Sequence, residues 1–349
     1  MNPPTSAPSA PAWLPAGPAL LFAPADRPDR FAKAAERSDV VIVDLEDGAA
    51  LDGHEAARRN IADNPLDPAR TILRVTGPDT PTFAGDAELA QEGPYDVVML
   101  PKVRERIPEE LAGLKVIAMI ETPEAILNIG AIASHPDVVG LFWGAEDLAA
   151  ELGGTSSRIT PDEAEAAGIP GGPDAPLRPY RAPQQLARTM MVIHAAANGI
   201  AAIDAVHVDF RDEKGQYLEA LDAAGCGFAG TACIHPAMVE AVRRAYRPSD
   251  EELDRARRIL GRAADNVGAF QLDGEMIDAP VVRQAAITVR PHAAYFQYRL
   301  ARLRRRLAYL KRYITANHHA SQRLLICICR HNCTDGATIA QDRHAATCG

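Results

Sequence analysis

Ionisable residues recur at one kind of place along this chain, directly after a short apolar run. Asp26-Arg27, Glu46-Asp47, Arg74, Lys102, Glu121, Glu146-Asp147, Asp204 with His207, and His235 all stand there. Taken singly, an Asp or Glu in such a position serves equally well to open the next helix, where the helix dipole favours negative charge. Taken together they ask for more. Carboxylates held about 4 Å apart repel by about 4 kcal/mol per pair at an effective dielectric near 20, so a set that converges calls for a cation among them.

The apolar runs themselves are the elements that must do the converging. Ala19–Ala25, Val40–Leu45, Thr71–Val75, Val97–Pro101, Lys115–Ile120, Val138–Trp143, Ile200–Val206 and Gly227–Ile234 read as strands. Gly53–Ala62, Thr122–Ser134 and Pro183–Asn198 read as helices, with Ala and Leu on a helical period and Gly or Pro near an end. Strands alternating with helices over about 220 residues predict a parallel sheet closed into a (β/α)8 TIM barrel, whose active site lies at the C-terminal strand ends. The ionisable residues after the runs would then share one mouth.

Composition bounds the partners. The chain has 349 residues, 47% hydrophobic and 24% charged, with a formal net charge of -9, which disfavours a nucleic acid as the partner of the body and favours a small molecule. No run of about 18 apolar residues suggests a membrane span, and Met1 to Ala16 is rich in Pro, Ala and Ser without the regions of a signal peptide. A flexible leader over 1–16 on a cytoplasmic protein is expected. Only Cys226 and Cys233 lie in the body, so no disulfide framework is expected there.

The segments carrying these residues have a familiar order. Phe22-Ala23-Pro24-Ala25-Asp26-Arg27-Pro28, Val43-Asp44-Leu45-Glu46-Asp47-Gly48, Leu100-Pro101-Lys102, Ile120-Glu121-Thr122-Pro123, Gly144-Ala145-Glu146-Asp147-Leu148, Cys233-Ile234-His235-Pro236 and Met276-Ile277-Asp278-Ala279-Pro280 resemble the successive motifs of the HpcH/HpaI aldolase and citrate lyase beta-subunit family. Within it, Leu152-Gly153-Gly154-Thr155-Ser156-Ser157-Arg158 is similar to the stand-alone CitE-like CoA-ester lyases. The likeness runs from about Gly17 to about Gln284, a barrel domain whose C-terminal helical cap segment would occupy about 237–284.

The resemblance implies a Mg2+ ion held by Glu121 and Asp147, and Arg74 as the group that grips a substrate carboxylate or thioester oxygen through its planar fork. It implies Glu46 as an acid behind them that orients the metal waters and Arg74, and Asp278 as the acid or base at the carbon next to the thioester, reaching into a neighbouring subunit of a homo-oligomer, a trimer or hexamer. Read alone, Asp278-Ala279-Pro280 is simply a turn. Arg27 and Lys102 join Arg74 and Glu121 as substrate-binding candidates, Lys102 with a structural role equally open. Where Thr76 stands the family has Asn, which puts one polar contact to substrate in doubt. Cys233 and His235 give two potential zinc ligands without a second pair, and packing accounts for them better.

The activity so implied is cleavage of a β-hydroxyacyl-CoA of malyl-CoA or citramalyl-CoA type into an acyl-CoA and a 2-oxo acid. Malate-synthase-like or malyl-CoA thioesterase activity, a metal-dependent aldolase acting on free 2-oxo acids, and a non-catalytic relative that binds a CoA ester as a signal remain as alternatives. From about 285 to 349 the resemblance stops and the charge reverses, with roughly a dozen Lys and Arg from Arg283 onward against Asp335 and Asp342. Leu300, Leu303, Leu307 and Leu310 within Arg299–Arg312 predict a basic amphipathic helix, and Cys327, Cys329, His331 and Cys333 crowd together without a paired zinc pattern.

Overall fold

The structure, a computed structural model, describes residues 13–168, 179–266 and 268–289. The chain divides into two units, Met1–Thr288 and Val289–Gly349, and the strands and helices named below, all among the described residues, lie in the first. The amphipathic helix expected over Arg299–Arg312 and the Cys and His cluster near the C-terminus lie outside the described residues, as do 1–12 of the expected leader.

Eight strands form, all parallel, each paired with its successor and the last with the first. They are β1 (Ala19–Pro24), β2 (Val40–Asp44), β3 (Thr71–Arg74), β4 (Val97–Leu100), β5 (Lys115–Ile120), β6 (Val138–Trp143), β7 (Ala201–Asp204) and β8 (Gly230–Cys233). Leu20 opposite Ala232 and Leu21 opposite Cys233 close the ring. The strands read as continuous apolar runs because both faces are covered. One set of side chains, including Leu20, Val40, Ile42, Ile72, Met99, Ile117, Phe142 and Ile203, fills the barrel interior. The alternate set, including Leu21, Val41, Val43, Leu73, Leu100, Ala118 and Leu141, packs outward against the helices. Trp13, within the segment expected as leader, packs against the interior set.

The helices are α1 (Phe31–Arg37), α2 (His54–Asp63), α3 (Phe83–Glu92), α4 (Pro123–Ala133), α5 (Ala145–Glu151), α6 (Pro161–Ala167), α7 (Ala182–Asn198), α8 (Glu213–Cys226), α9 (Val239–Ala245) and α10 (Asp250–Asp265). Their ends follow from local chemistry. Thr122 caps α4 by accepting from the Ala125 N–H, with Pro123 in the first turn where its missing donor costs nothing. Gly199 and Gly227 end α7 and α8 in the left-handed conformation. Between β4 and β5 the described residues hold only a 3-10 turn, Glu109–Leu111, so that unit is a barrel unit without its α-helix.

After the barrel, the segment expected to be helical contains a β-hairpin as well. β9 (Phe270–Leu272) and β10 (Glu275–Ile277) pair antiparallel around Asp273 and Gly274, whose φ angles of 53° and 86° suit a tight two-residue hairpin turn. Asp-Gly is a strong signal for such a turn, but three-residue strands are too short to show a period. Arg255 and Arg258 of α10 pair with Glu275 and Asp273 and hold the hairpin to that helix. A further helix begins at residue 279. Among the described residues no helix is long and apolar enough to cross a membrane.

Candidate active site

The site begins where the interior faces of β2, β3 and β5 run out of apolar residues. Asp44 follows Ile42, Arg74 follows Ile72 and Glu121 follows Met119, each two positions on, so strand alternation turns all three side chains inward. Asp44 and Arg74 are also register partners across β2 and β3. The Arg74 guanidinium meets the Asp44 carboxylate at 2.6 Å through Nε and 2.7 Å through Nη2, an arrangement matching both forks. Glu46 Oε2 lies 2.8 Å from its Nη1 and Asp47 Oδ2 2.9 Å from its Nη2, while the Phe22 ring sits 4.7 Å below. Three carboxylates therefore cage one arginine. Asp47 is the replaceable member, since its side chain is 79% exposed against 6% for Asp44.

Burial pushes the Glu46 carboxyl up to about 8 against the pull of Arg74, with Glu121 and Asp47 adding to the rise. Glu121 is fully buried, and burial likewise raises it above the usual carboxylate range despite the nearby Lys102. Its Oε1 accepts the Lys102 backbone N–H at 2.8 Å, whereas Oε2 has no hydrogen-bond partner among the described residues. A buried carboxylate oxygen so orphaned is a site where a cation fits. Asp147, in the first turn of α5, faces the same spot, and the Lys102 ammonium lies against both, hydrogen-bonded to Asp147 and 3.6 Å from Glu121. Two carboxylates with room for waters and substrate is a donor set that suits magnesium. Gly144 is required here, because a Cβ on it would come 2.4 Å from Glu121 Oε2.

Arg74, Asp44, Asp47 and Asp147 line a cavity of about 730 Å3 together with Phe22, Phe142 and Trp143. On one side it reaches Arg27, Arg30, Lys33 and Arg37, a basic strip at helical spacing along α1 and the turn before it. Arg27 is tied to Asp29 at 2.9 Å. On another it meets Ile234 and His235, the latter exposed with its ring tilted against that of Phe210 at 5.2 Å.

Not every strand-end charge joins the mouth. Asp204 has the parity of Ala202, which points outward, and lies in the helix layer, bonded to Arg188 of α7 at 3.1 Å and to the Trp143 indole N–H at 2.7 Å. The expected convergence fails there because Ile203, not Asp204, carries the inward position. His207 sits behind it, its Nδ1 3.0 Å from Glu219 of α8. Cys233 is buried in the core and its thiol is pushed up to about 12 by burial, so the Cys233 and His235 pair makes no metal site. Thr76 turns its hydroxyl onto Asp86 of α3 at 2.8 Å rather than into the cavity. Asp278 is exposed, accepts from the Val281 N–H at the start of the last described helix, and does not line the cavity of its own barrel.

Some members of this arrangement gave little sign of themselves in the sequence. Asp44 stood out only as a member of the Val43–Gly48 motif, and Asp47 as a strand-end charge without a role assigned. Arg30, Lys33 and Arg37 had helical spacing as their signal. Ser157, whose Oγ donates to Glu146 Oε1 and so ties the 152–158 loop to α5, appeared only as a member of the Leu152–Arg158 motif.

The model of the HpcH/HpaI aldolase/citrate lyase family matches residues 19–236. A citrate lyase subunit beta-like protein of Mycobacterium tuberculosis is 45% identical over 276 residues, covering 79% of this chain and 95% of the relative. A (3S)-malyl-CoA thioesterase of Cereibacter sphaeroides is 30% identical over 274 residues, 74% of this chain and 88% of its own length. An L-malyl-CoA/beta-methylmalyl-CoA lyase of Rhodobacter capsulatus is 30% identical over 298 residues, 77% and 92% respectively. The crystal structure of M. tuberculosis CitE in complex with magnesium, acetoacetate and coenzyme A superposes with a TM-score of 0.69 at 43% identity, covering 79% of this chain and 97% of that one.

Proposed function

This chain belongs to the HpcH/HpaI aldolase/citrate lyase family, and from that premise we propose that it is a magnesium-dependent CoA-ester lyase, splitting a malyl-CoA or citramalyl-CoA type substrate into an acyl-CoA and a 2-oxo acid. The observation that carries the reading is one cavity lined by Asp147, the caged Arg74 and the basic strip of Arg27, Arg30, Lys33 and Arg37, with Glu121 joined to Asp147 through Lys102. The strip supplies donors for the phosphates of a CoA moiety at a distance from the acidic end.

Glu121 and Asp147 would hold the ion. When bound there it would polarise the substrate hydroxyl and the carbonyl that forms from it. Arg74 offsets charge gathering on the substrate oxygens, with Asp47 yielding its place to the incoming group. Asp44 and Glu46 keep the guanidinium oriented meanwhile. Breaking the carbon–carbon bond leaves an electron pair on the carbon next to the thioester. Asp278, absent from its own cavity, would protonate that carbon in a neighbouring subunit of a homo-oligomer.

A hydrolytic outcome has its own support in the likeness to the malyl-CoA thioesterase. The test is turnover of malyl-CoA and citramalyl-CoA with and without magnesium, following 2-oxo acid and free CoA separately. Magnesium-dependent release of a 2-oxo acid with CoA still esterified is the expected result. Release of free CoA would establish the thioesterase reading, and indifference to CoA would point to a free-acid aldolase. Binding without turnover would leave a CoA-ester sensor.

A further inference from the structure

Lys102 has features that the proposed reaction does not use. Its backbone is left-handed, with φ 54°, a conformation side chains other than glycine seldom adopt. That twist does two things at once. It delivers the Lys102 N–H to Glu121 Oε1 at 2.8 Å and sends the side chain back so that the ammonium lies between Glu121 and Asp147. Room for the stem comes from Gly77, where a Cβ would sit 3.3 Å from both Cβ and Cγ of Lys102.

The consequence concerns the ion these two carboxylates would take. A divalent cation at Glu121 and Asp147 would have to share their oxygens with a unit positive charge already seated there. We propose that the Lys102 ammonium is an internal counter-cation that satisfies Glu121 and Asp147 in the metal-free protein and competes with the divalent ion for them, so that this side chain sets the metal affinity of the site. The proposal rests on Glu121 and Asp147 being the metal pair. It gives Lys102 a place in metal binding apart from any contact with substrate. Left without either cation, a fully buried Glu121 would carry an uncompensated charge, which is a reason for the chain to hold one of its own. Lys102 is only partly buried, with 30% of its side chain exposed, so it has a route outward when displaced.

The full chain, free of substrate, is titrated with MgCl2 by calorimetry in wild-type, Lys102→Met, Lys102→Arg and Asp147→Asn forms. Lys102→Met keeps the backbone bond to Glu121 and removes only the charge. It should bind magnesium at least about tenfold more tightly than wild type, as removal of a unit charge within a few ångström predicts at an effective dielectric near 20. Lys102→Arg should bind no more tightly than wild type, and Asp147→Asn should lose binding. In wild type, acylation of the Lys102 amine read by mass spectrometry should quicken when magnesium is added, which tests displacement without any variant having to fold. Equal or weaker binding by Lys102→Met overturns the proposal, as does labelling of Lys102 indifferent to saturating magnesium. If binding is lost in Asp147→Asn while Lys102→Met matches wild type, the counter-cation idea fails and the metal pair stands. If wild type binds no magnesium at all, both fall.

Discussion

Glu46 is the residue whose protonation matters most to the fold of the site. Its carboxyl ordinarily ionises near 4.5 and is pushed up to about 8 inside the protein, chiefly by burial. Below the lower value the group is protonated whether the chain is folded or not. Between the two, the unfolded chain releases the proton and the folded chain keeps it, so stability falls as pH rises, by about 1.4 kcal/mol per pH unit at most. Above 8 the penalty is complete. Glu46→Gln is neutral throughout and copies the protonated acid, so in metal-free protein its melting temperature should gain several degrees on wild type between pH 5 and pH 9. A difference that does not vary with pH would mean Glu46 is ionised in the fold and paired with Arg74 as a simple salt bridge.

At the scale of elements, the turn from β6 into α5 decides whether Glu121 can stand where it does. Gly144 caps α5 with an extended backbone, ψ 102°, and its missing Cβ leaves the space that Glu121 Oε2 occupies. Gly144→Ala must push a fully buried carboxylate aside while α5 itself remains able to form. Magnesium affinity should fall by about 10- to 100-fold, as when the support of a metal ligand is removed, with the melting temperature of metal-free protein changed far less. Unaltered affinity by calorimetry would show that Glu121 is not a ligand, or that its carboxylate has room the packing does not suggest. The same scale explains Asp204, which an end-of-strand position alone places at the mouth but strand parity sends to Arg188.

For the whole molecule the open matter is the acid. Asp278 belongs to a segment held on α10 by Arg255 and Arg258, away from the cavity lined by its own chain. If the site is completed by a neighbour, Asp278→Asn and Asp147→Asn chains, each inactive alone, should regain part of the activity when assembled together. Mixed oligomers contain some mouths with an intact metal pair from one chain and an intact Asp278 from another, at the short range proton transfer needs. Verified mixed oligomers without recovery would mean that Asp278 serves its own barrel, or that it is only a turn residue and another group is the acid.

Much of this protein is written locally. The eight strands are continuous β-branched or apolar runs because a parallel barrel buries both strand faces, and such runs stand out in one dimension. The inward turn of Arg74 and Glu121 follows from counting two places on from Ile72 and Met119. The hairpin of β9 and β10 was not read, because its three-residue strands are too short to show a period within a segment expected to be helical. What the sequence left undetermined are relations between strands. The cage on Arg74 exists because β2 and β3 pair with Asp44 opposite Arg74, a register set by packing between positions 30 apart in the chain. Lys102 meets Glu121 and Asp147 because β4, β5 and β6 are neighbours in a closed ring and because one backbone angle at Lys102 is reversed. Charges 19 and 45 positions apart become partners only through barrel closure, since side-chain electrostatics acts across space and not along the chain.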